Sequence, residues 1–146
     1  MDMKRLAIGT IVGGITLYAA GYLIFDLATA DFYVANLIAD TGAYRDPSLQ
    51  WAFVLGDLAS GALVTLGILS RPGTPTIGSG LLTGAVIGLL LWLHADLTLY
   101  GLTNVWNITT PMVDPLLEAI HHGAGGAVIA AVLARVPRSA AIRPAE

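Results

Sequence analysis

Apolar residues occur along this chain in four long runs that are separated by short polar segments. The runs cover residues 6–25, 51–70, 77–100 and 112–133. Each has roughly the 20 residues that an α-helix needs to cross a hydrocarbon layer about 30 Å thick, because a helix rises about 1.5 Å per residue. The pattern predicts an all-α protein, an integral membrane four-helix bundle formed by one domain over residues 1–146.

Small residues repeat every four positions in two of these runs. Gly80, Gly84 and Gly88 form one stripe, and Gly9 and Gly13 begin another. In lipid, such stripes let helix backbones approach closely and gain van der Waals contacts. They therefore predict tight helix packing, either within one chain, which we favour, or between the subunits of a homo-oligomer.

The composition agrees with a membrane location. Hydrophobic residues make up 55% of the chain and charged residues 12%, and the mean hydropathy is +0.74, which is too high for an ordinary soluble domain. The lipid bilayer is thus the predicted partner, and nothing in the charge pattern indicates nucleic acid. Cysteine is absent from the sequence, so disulfides and thiolate chemistry are excluded.

The distribution of basic residues predicts the orientation. Lysine and arginine near membrane-spanning segments tend to stay on the cytoplasmic side. In a four-pass topology, six of the seven basic residues fall on the side of the two termini and only Arg45 falls on the other side. This distribution predicts that both termini are cytoplasmic, in a bacterial inner membrane. The basic residues on the cytoplasmic side are Lys4, Arg5, Arg71, Arg135, Arg138 and Arg143.

The segments outside the four runs carry three further signals. Apolar residues in "DFYVANLIAD", residues 31–40, recur at near-helical spacing, which predicts a short interfacial helix in the first outer loop. Residues 137–146 are predicted to form a flexible tail. The first run follows two basic residues, as in a signal peptide, but its length of about 20 residues favours a retained membrane helix.

Acidic and histidine residues interrupt the apolar runs at one level. Asp57, His94 and Glu118 each lie six residues from the outer end of their run, which places them roughly 9 Å below the outer boundary. Asp114 and His121 share one helix face with Glu118, since all three fall within about 60° at 100° per residue. These five residues form the predicted ligand or proton site.

Three further residues are secondary candidates. His94 lies nearer the glycine stripe of its helix than Asp96 does, so His94 is predicted to face inward and Asp96 to face elsewhere. His122 falls just off the inward face of the last run. The secondary candidates are Asp26, Asp96 and His122.

The Glu118-x-x-His121 step has a chemistry of its own. It places a carboxylate and an imidazole one helical turn apart, as in the metal sites of helical bundles. With His94 it would supply two histidines and a carboxylate, a set that suits iron, zinc or manganese. Alternatively these side chains only hydrogen-bond one another. Small residues beside His121 would also leave room for a tetrapyrrole, although a site without any cofactor is the simplest expectation.

Ionisable groups at membrane depth are candidates for function, because a charge at the bilayer centre costs at least about 2.5–3.5 kcal/mol. The predicted function is a small membrane protein whose polar pocket in the outer leaflet handles protons, an ion or a small ligand. One alternative is a membrane-embedded subunit of a larger complex, with a structural or cofactor-holding role. The other is a lipid- or isoprenoid-modifying enzyme, with Glu118 or His121 as general base.

Several short motifs also carry a resemblance. "FDLATADFY", "HADLTLYGLTN" and "MVDPLLEAI" resemble the motifs of an uncharacterised bacterial family of small four-pass inner-membrane proteins, a domain of unknown function. The sequence departs from that pattern at Leu99 and Leu117. The resemblance implies the fold and the location and no activity. The matching positions are Asp26, Asp31, Phe32, Tyr33, Asp96, Leu97, Thr98, Val113 and Asp114.

Overall fold

The computed structural model describes residues 2–38, 45 and 47–137. In this part of the chain the secondary structure is helical apart from one isolated β-bridge. The prediction of an all-α fold is confirmed, whereas the tail predicted over 137–146 lies outside the described residues except for Pro137. The α-helices are α1 (Met3–Gly21), α2 (Ala30–Asn36), α3 (Gln50–Leu69), α4 (Ile77–Leu102) and α5 (Thr109–Leu133).

Four of the helical segments are long and apolar enough to cross a membrane. They are Met3–Ala28, Gln50–Leu69, Ile77–Leu102 and Thr109–Leu133, and they coincide with the four predicted runs to within a few residues. Large apolar side chains such as Ile15, Leu90 and Ile120 are exposed on the outside of the bundle. That distribution fits a lipid environment, in which outward apolar surface is not penalised.

The most extensive helix contact joins α4 to α5 through the glycine stripe of α4. A Cβ atom added at Gly84 would collide with the carbonyl oxygen of His122, and one added at Gly80 would collide with the carbonyl of Gly126. The two backbones therefore lie against each other with no side chain between them, as small residues permit in membranes. This stripe is used within the chain.

The second stripe places α1 between α3 and α5. Gly9 faces Thr65 of α3, and Gly13 lies between Gly61 of α3 and Ile129 of α5. The buried apolar core lies beside this contact, in the half of the bundle that is nearer the ends of the chain. It consists of Val64, Ile68, Ile129, Ala130 and Leu133.

Arg5 connects the beginning of α1 with the end of α5. Its side chain is buried, and Nη2 donates a hydrogen bond of 3.0 Å to the carbonyl oxygen of Leu133. The last carbonyls of a helix have no partner within the helix, so this bond satisfies one of them. The start of α1 and the finish of α5 thus share one end of the bundle, here called the terminal end. Which side of the membrane this end faces is predicted only by the basic residues.

At the opposite end, α1 changes its helical geometry. Residues Tyr22–Ala28 form a π-helix, which is wider than an α-helix and is often found at functional sites. It ends at Thr29, whose backbone N–H and hydroxyl both donate to the carbonyl of Ile24, at 2.9 and 2.8 Å. The chain then turns into α2.

The short helix α2 is fastened to the loop between α4 and α5. The N–H of Asn107 donates to the Asn36 carbonyl at 3.1 Å, and the two side-chain amides join at 2.8 Å. The N–H of Ile38 donates to Val105 at 2.9 Å. These bonds hold α2 next to the first turns of α5, which confirms the predicted short helix in the first loop. We call this the α2 end of the bundle.

Candidate functional site

Three neighbouring side chains of α5 converge in the interior of the bundle. Glu118, His121 and His122 are only 4%, 5% and 2% exposed. Because residues three and four apart lie one above the other on a helix, both imidazoles reach back to the same carboxylate. Their Nδ1 atoms lie 2.8 and 3.0 Å from Oε2 of Glu118, and one ligand atom from each residue lies within 4.8 Å of the others. We call these three residues the Glu118 cluster.

His121 also joins α5 to α1. Its Nε2 lies 2.8 Å from the carbonyl oxygen of Leu17. A carbonyl only accepts, so Nε2 carries the hydrogen and donates it, while Nδ1 of the same ring faces Glu118. If His121 were neutral and Glu118 ionised, Nδ1 and the carboxylate would be two acceptors that face each other. A positive charge must therefore lie between them. This is either a proton or a cation that takes its place.

His122 is held in one tautomer by two acceptors. Its Nδ1 lies 3.1 Å from the carbonyl of Glu118 as well as 3.0 Å from the carboxylate, so Nδ1 is the donor. Its Nε2 is buried and has no hydrogen-bond partner within the described residues. A Cβ at Gly88 of α4 would lie 2.7 Å from Cβ of His122, so the glycine makes room for this histidine.

A second polar group lies one helical turn closer to the α2 end. The hydroxyl of Tyr33 in α2 donates to Oδ1 of Asp114, and the carboxyl group of Asp96 in α4 lies close enough to that of Asp114 for the two to interact strongly. Two ionised carboxylates at such close range repel each other, so this carboxyl pair favours a proton or another cation. Burial raises the pKa of the Tyr33 phenol above its usual range, and the hydrogen bond and the negative charges of Asp114, Glu118 and Asp96 raise it further. Tyr33 therefore remains a donor.

Aromatic rings cover the Glu118 cluster from the α2 end. Phe25, in the π-helix, packs edge-on against His121 with ring centres 5.4 Å apart. Tyr33 lies 6.1 Å from Phe25 and 5.9 Å from Trp106 of the α4–α5 loop. The π-helix, α2 and this loop thus contribute one ring each to a roof, here the aromatic roof (Phe25, Tyr33 and Trp106).

The structure brings together four of the five residues predicted as the main site. Asp114, Glu118 and His121 all point into the bundle from α5, as the helix-face argument predicts. Asp57 is half-buried on α3 and interacts electrostatically with His121, Glu118 and His122. It shares its helix with Gly61 and Thr65, which are buried.

The inward placement of His94 is wrong, and it is Asp96, which was predicted to face elsewhere, that approaches the polar site. His94 is exposed on α4, whereas Asp96 reaches Asp114. Residues four positions apart on an α-helix are rotated by about 40° relative to each other, so the glycine stripe winds around α4. The direction of its last member, Gly88, and not the average direction of the glycines, therefore indicates which of the following residues face α5. Asp96 lies about 80° from Gly88 and His94 about 120°, which decides between them.

The predicted trio of Glu118, His121 and His94 is consequently not formed. His122 takes the place of His94, and its predicted position at the margin of the inward face is corrected by its 2% exposure. α5 is covered on two sides, by α1 and by α4, so two adjacent histidines are both buried. Asp26, a secondary candidate, is exposed in the π-helix.

Sequence reasoning missed two participants. Tyr33 was expected only in an interfacial helix, and its bond to Asp114 joins residues 81 positions apart. The carbonyl of Leu17 belongs to the backbone of an apolar helix and leaves no signal in the sequence. One feature of the sequence could have indicated Tyr33: its side chain carries a hydroxyl group, and it lies in a loop predicted to cover the polar layer.

The polar layer, consisting of the Glu118 cluster with Asp57, Asp96, Asp114 and Tyr33, is short of positive charge. It contains four carboxyl groups and two imidazoles. No lysine or arginine among the described residues forms an ion pair with these carboxyl groups, and the pairs that do form join Glu118 to its two histidines. Charges buried without partners are strongly unfavourable. The layer therefore requires protons or a bound cation.

Comparison with known proteins identifies no relative of this chain. No family model matches this chain, and no match was found among curated proteins or solved structures. The resemblance to a family of small four-pass membrane proteins accordingly rests on its short motifs alone.

Proposed function

We propose that this protein is a multi-pass membrane protein that binds a cation in its polar layer. The single observation that carries the proposal is the surplus of carboxyl groups over basic groups in a buried layer of the helix bundle. The layer holds four carboxyl groups and two histidines, both of which pair with Glu118, so it is stable only when protons or another cation supply the missing positive charge. A site of this kind selects cations over anions and neutral molecules.

The dimensions of the layer support an ion as the ligand. Side-chain exposures in the Glu118 cluster are 7% or less, and its hydrogen-bonding atoms are already in contact. An ion requires only a small opening of these contacts, whereas a lipid head group would require the helices to separate. Two cavities of about 300 and 170 Å³ do exist, but Arg5 and the α3–α4 loop line them at the terminal end, away from the layer.

We place the entry of the cation at the α2 end of the bundle. Asp114 lies one helical turn closer to the α2 end than Glu118 does, so a cation that approaches from this end meets the carboxyl pair before the Glu118 cluster. The positive-inside pattern favours an outward-facing α2 end, and the proposed location is the bacterial inner membrane. A role within a larger complex or a homo-oligomer is compatible with this function and remains a prediction.

Thermal unfolding of the purified protein in detergent tests the proposal. A ligand that binds the folded state at 100 times its Kd stabilises that state by about 2.7 kcal/mol. We expect at least one cation from a panel of H⁺, Na⁺, K⁺, Mg²⁺, Ca²⁺ and Zn²⁺ to raise the melting temperature. Glu118→Gln should abolish the rise, because the amide preserves the shape and removes the charge.

Asp26→Asn provides the matched control, since this carboxylate is exposed and lies outside the layer. It should leave the rise in melting temperature unchanged. The proposal fails if no cation stabilises the wild-type protein, or if the Glu118 and Asp26 variants respond alike.

A further inference from the structure

We propose that the bound cation is a divalent transition-metal ion held by Glu118, His121 and His122. The inference rests on the proposed function and names the ligand of the same site. Its basis is the composition of the Glu118 cluster, in which two imidazoles and one carboxylate come within 4.8 Å of one another in a fully buried position.

The donor atoms determine the class of ion. Mg²⁺ and Ca²⁺ take oxygen ligands almost exclusively. Imidazole nitrogen suits zinc, iron, nickel and copper, and two histidines with one carboxylate form the ligand set of several zinc and non-haem iron sites. The cluster therefore fits a first-row transition ion and not an alkaline-earth ion.

The distances are close to those of a metal site. Ligand atoms bound about 2.1 Å from a metal, at angles between 90° and 109°, are about 3.0–3.4 Å apart. The Nδ1 atoms of the two histidines lie 2.8 and 3.0 Å from Oε2 of Glu118. The third pair of ligand atoms lies within 4.8 Å, so an ion would replace the hydrogens between these atoms after small shifts of the side chains, and His122 would give up its bond to the Glu118 carbonyl.

The surroundings of His121 match those of a metal ligand. Metal-binding histidines usually donate their second ring N–H to a carboxylate or a backbone carbonyl, which fixes the ring. His121 donates Nε2–H to Leu17 at 2.8 Å while Nδ1 faces the cluster. Phe25 packs edge-on against the same ring.

The charge around the cluster favours a divalent ion. Asp57 acts electrostatically on both histidines and on Glu118 from the neighbouring helix α3. Asp114 lies one turn away on α5. Three protein ligands also leave at least one coordination position open, which is the arrangement of catalytic rather than structural zinc sites.

Metal binding to the detergent-purified full chain provides the test, with Co²⁺ as the spectroscopic probe and Zn²⁺ as the competitor. We expect one Co²⁺ per chain, displaced by Zn²⁺ and not by Mg²⁺. X-ray absorption of the bound ion should show two imidazole ligands. Glu118→Gln, His121→Gln and His122→Gln should each weaken binding on the order of 100-fold or more, since even the loss of an outer hydrogen-bond partner costs 10- to 100-fold.

His94→Gln is the matched control, because His94 is the remaining histidine of the sequence and is exposed. It should retain wild-type affinity. The inference is overturned if the wild-type protein binds no transition ion, if the bound ion has no imidazole ligand, or if His94→Gln loses as much affinity as His122→Gln. If circular dichroism shows that a cluster variant does not fold, the X-ray absorption spectrum of the ion bound to the wild-type protein tests the inference instead.

The same measurements separate this inference from the proposed function. The protein could be stabilised by protons, Na⁺, K⁺ or Ca²⁺ in a manner that depends on Glu118 and yet bind no transition metal. That result would overturn the metal assignment and leave the proposal of a cation-binding protein intact. Absence of a response to every cation would overturn both.

Discussion

The imidazole of His121 stands 2.8 Å from the carboxylate of Glu118, three residues earlier on α5, and both side chains are buried. The other ring nitrogen of His121 is occupied by a backbone carbonyl, so the interaction with Glu118 requires an added positive charge. This pair is the centre of a polar layer that has more carboxyl groups than partners for them. The layer lies within helices whose outer surfaces are apolar, where an uncompensated charge is costly.

The bond between Tyr33 and Asp114 predicts that Tyr33→Phe destabilises the protein. Loss of the hydroxyl leaves Asp114 with an unsatisfied buried acceptor, which costs about 1–3 kcal/mol. Chemical unfolding in detergent micelles measures this cost. Tyr18→Phe is the control, because Tyr18 bonds Gln50 on an exposed surface and should lose about 0.5 kcal/mol or less. Equal losses in the two variants would show that the Tyr33 bond is not buried as described.

The raised pKa of Tyr33 predicts a loss of stability in alkaline solution. In the unfolded chain the phenol ionises near pH 10, whereas in the folded chain it stays protonated to a higher pH. Deprotonation of the unfolded state alone lowers the free energy of unfolding, so the contribution of Tyr33 is complete below about pH 10 and declines as the pH rises further. Unfolding of wild-type protein and Tyr33→Phe between pH 8 and 11 measures it. A decline that is equally steep in Tyr33→Phe would contradict the assignment.

The contact between Gly84 and the carbonyl of His122 predicts that Gly84→Ala is harmful. The new Cβ would collide with backbone, which cannot move aside as a side chain can, so we expect a loss of about 1–3 kcal/mol. Gly101→Ala lies in the same helix with open space around it, and the better helix propensity of alanine should make it neutral or slightly stabilising. Thermal unfolding of the two variants provides the comparison. A Gly84→Ala protein as stable as Gly101→Ala would mean that α4 and α5 are further apart.

The sequence predicted the helices well because membrane helices are specified by local apolar length. It also placed Glu118 and His121 correctly, since residues three apart on one helix have a fixed relation that needs no tertiary knowledge. His94 and Asp96 were exchanged because their orientation depends on how α4 winds across α5, which emerges only when both backbones are in place. Tertiary contacts also explain why Tyr33 was not predicted at the site and why His122 was placed only at the margin of the inward face. One is brought in by a loop contact, and the other is buried only because a second helix covers the far side of α5.

The count of cations bound per chain tests the central claim most directly. Equilibrium dialysis of the purified protein against each cation of the panel, with proton uptake followed by a pH indicator, gives this count for the wild-type protein, Glu118→Gln and Asp31→Asn. Asp31 is an exposed carboxylate of α2 and serves as the control. We predict that the wild-type protein and Asp31→Asn each bind one cation more per chain than Glu118→Gln does, because any proton held by the Asp96–Asp114 pair is common to the three proteins. A wild-type protein that binds no cation, or a Glu118→Gln protein that binds as many as the wild type, would contradict this prediction.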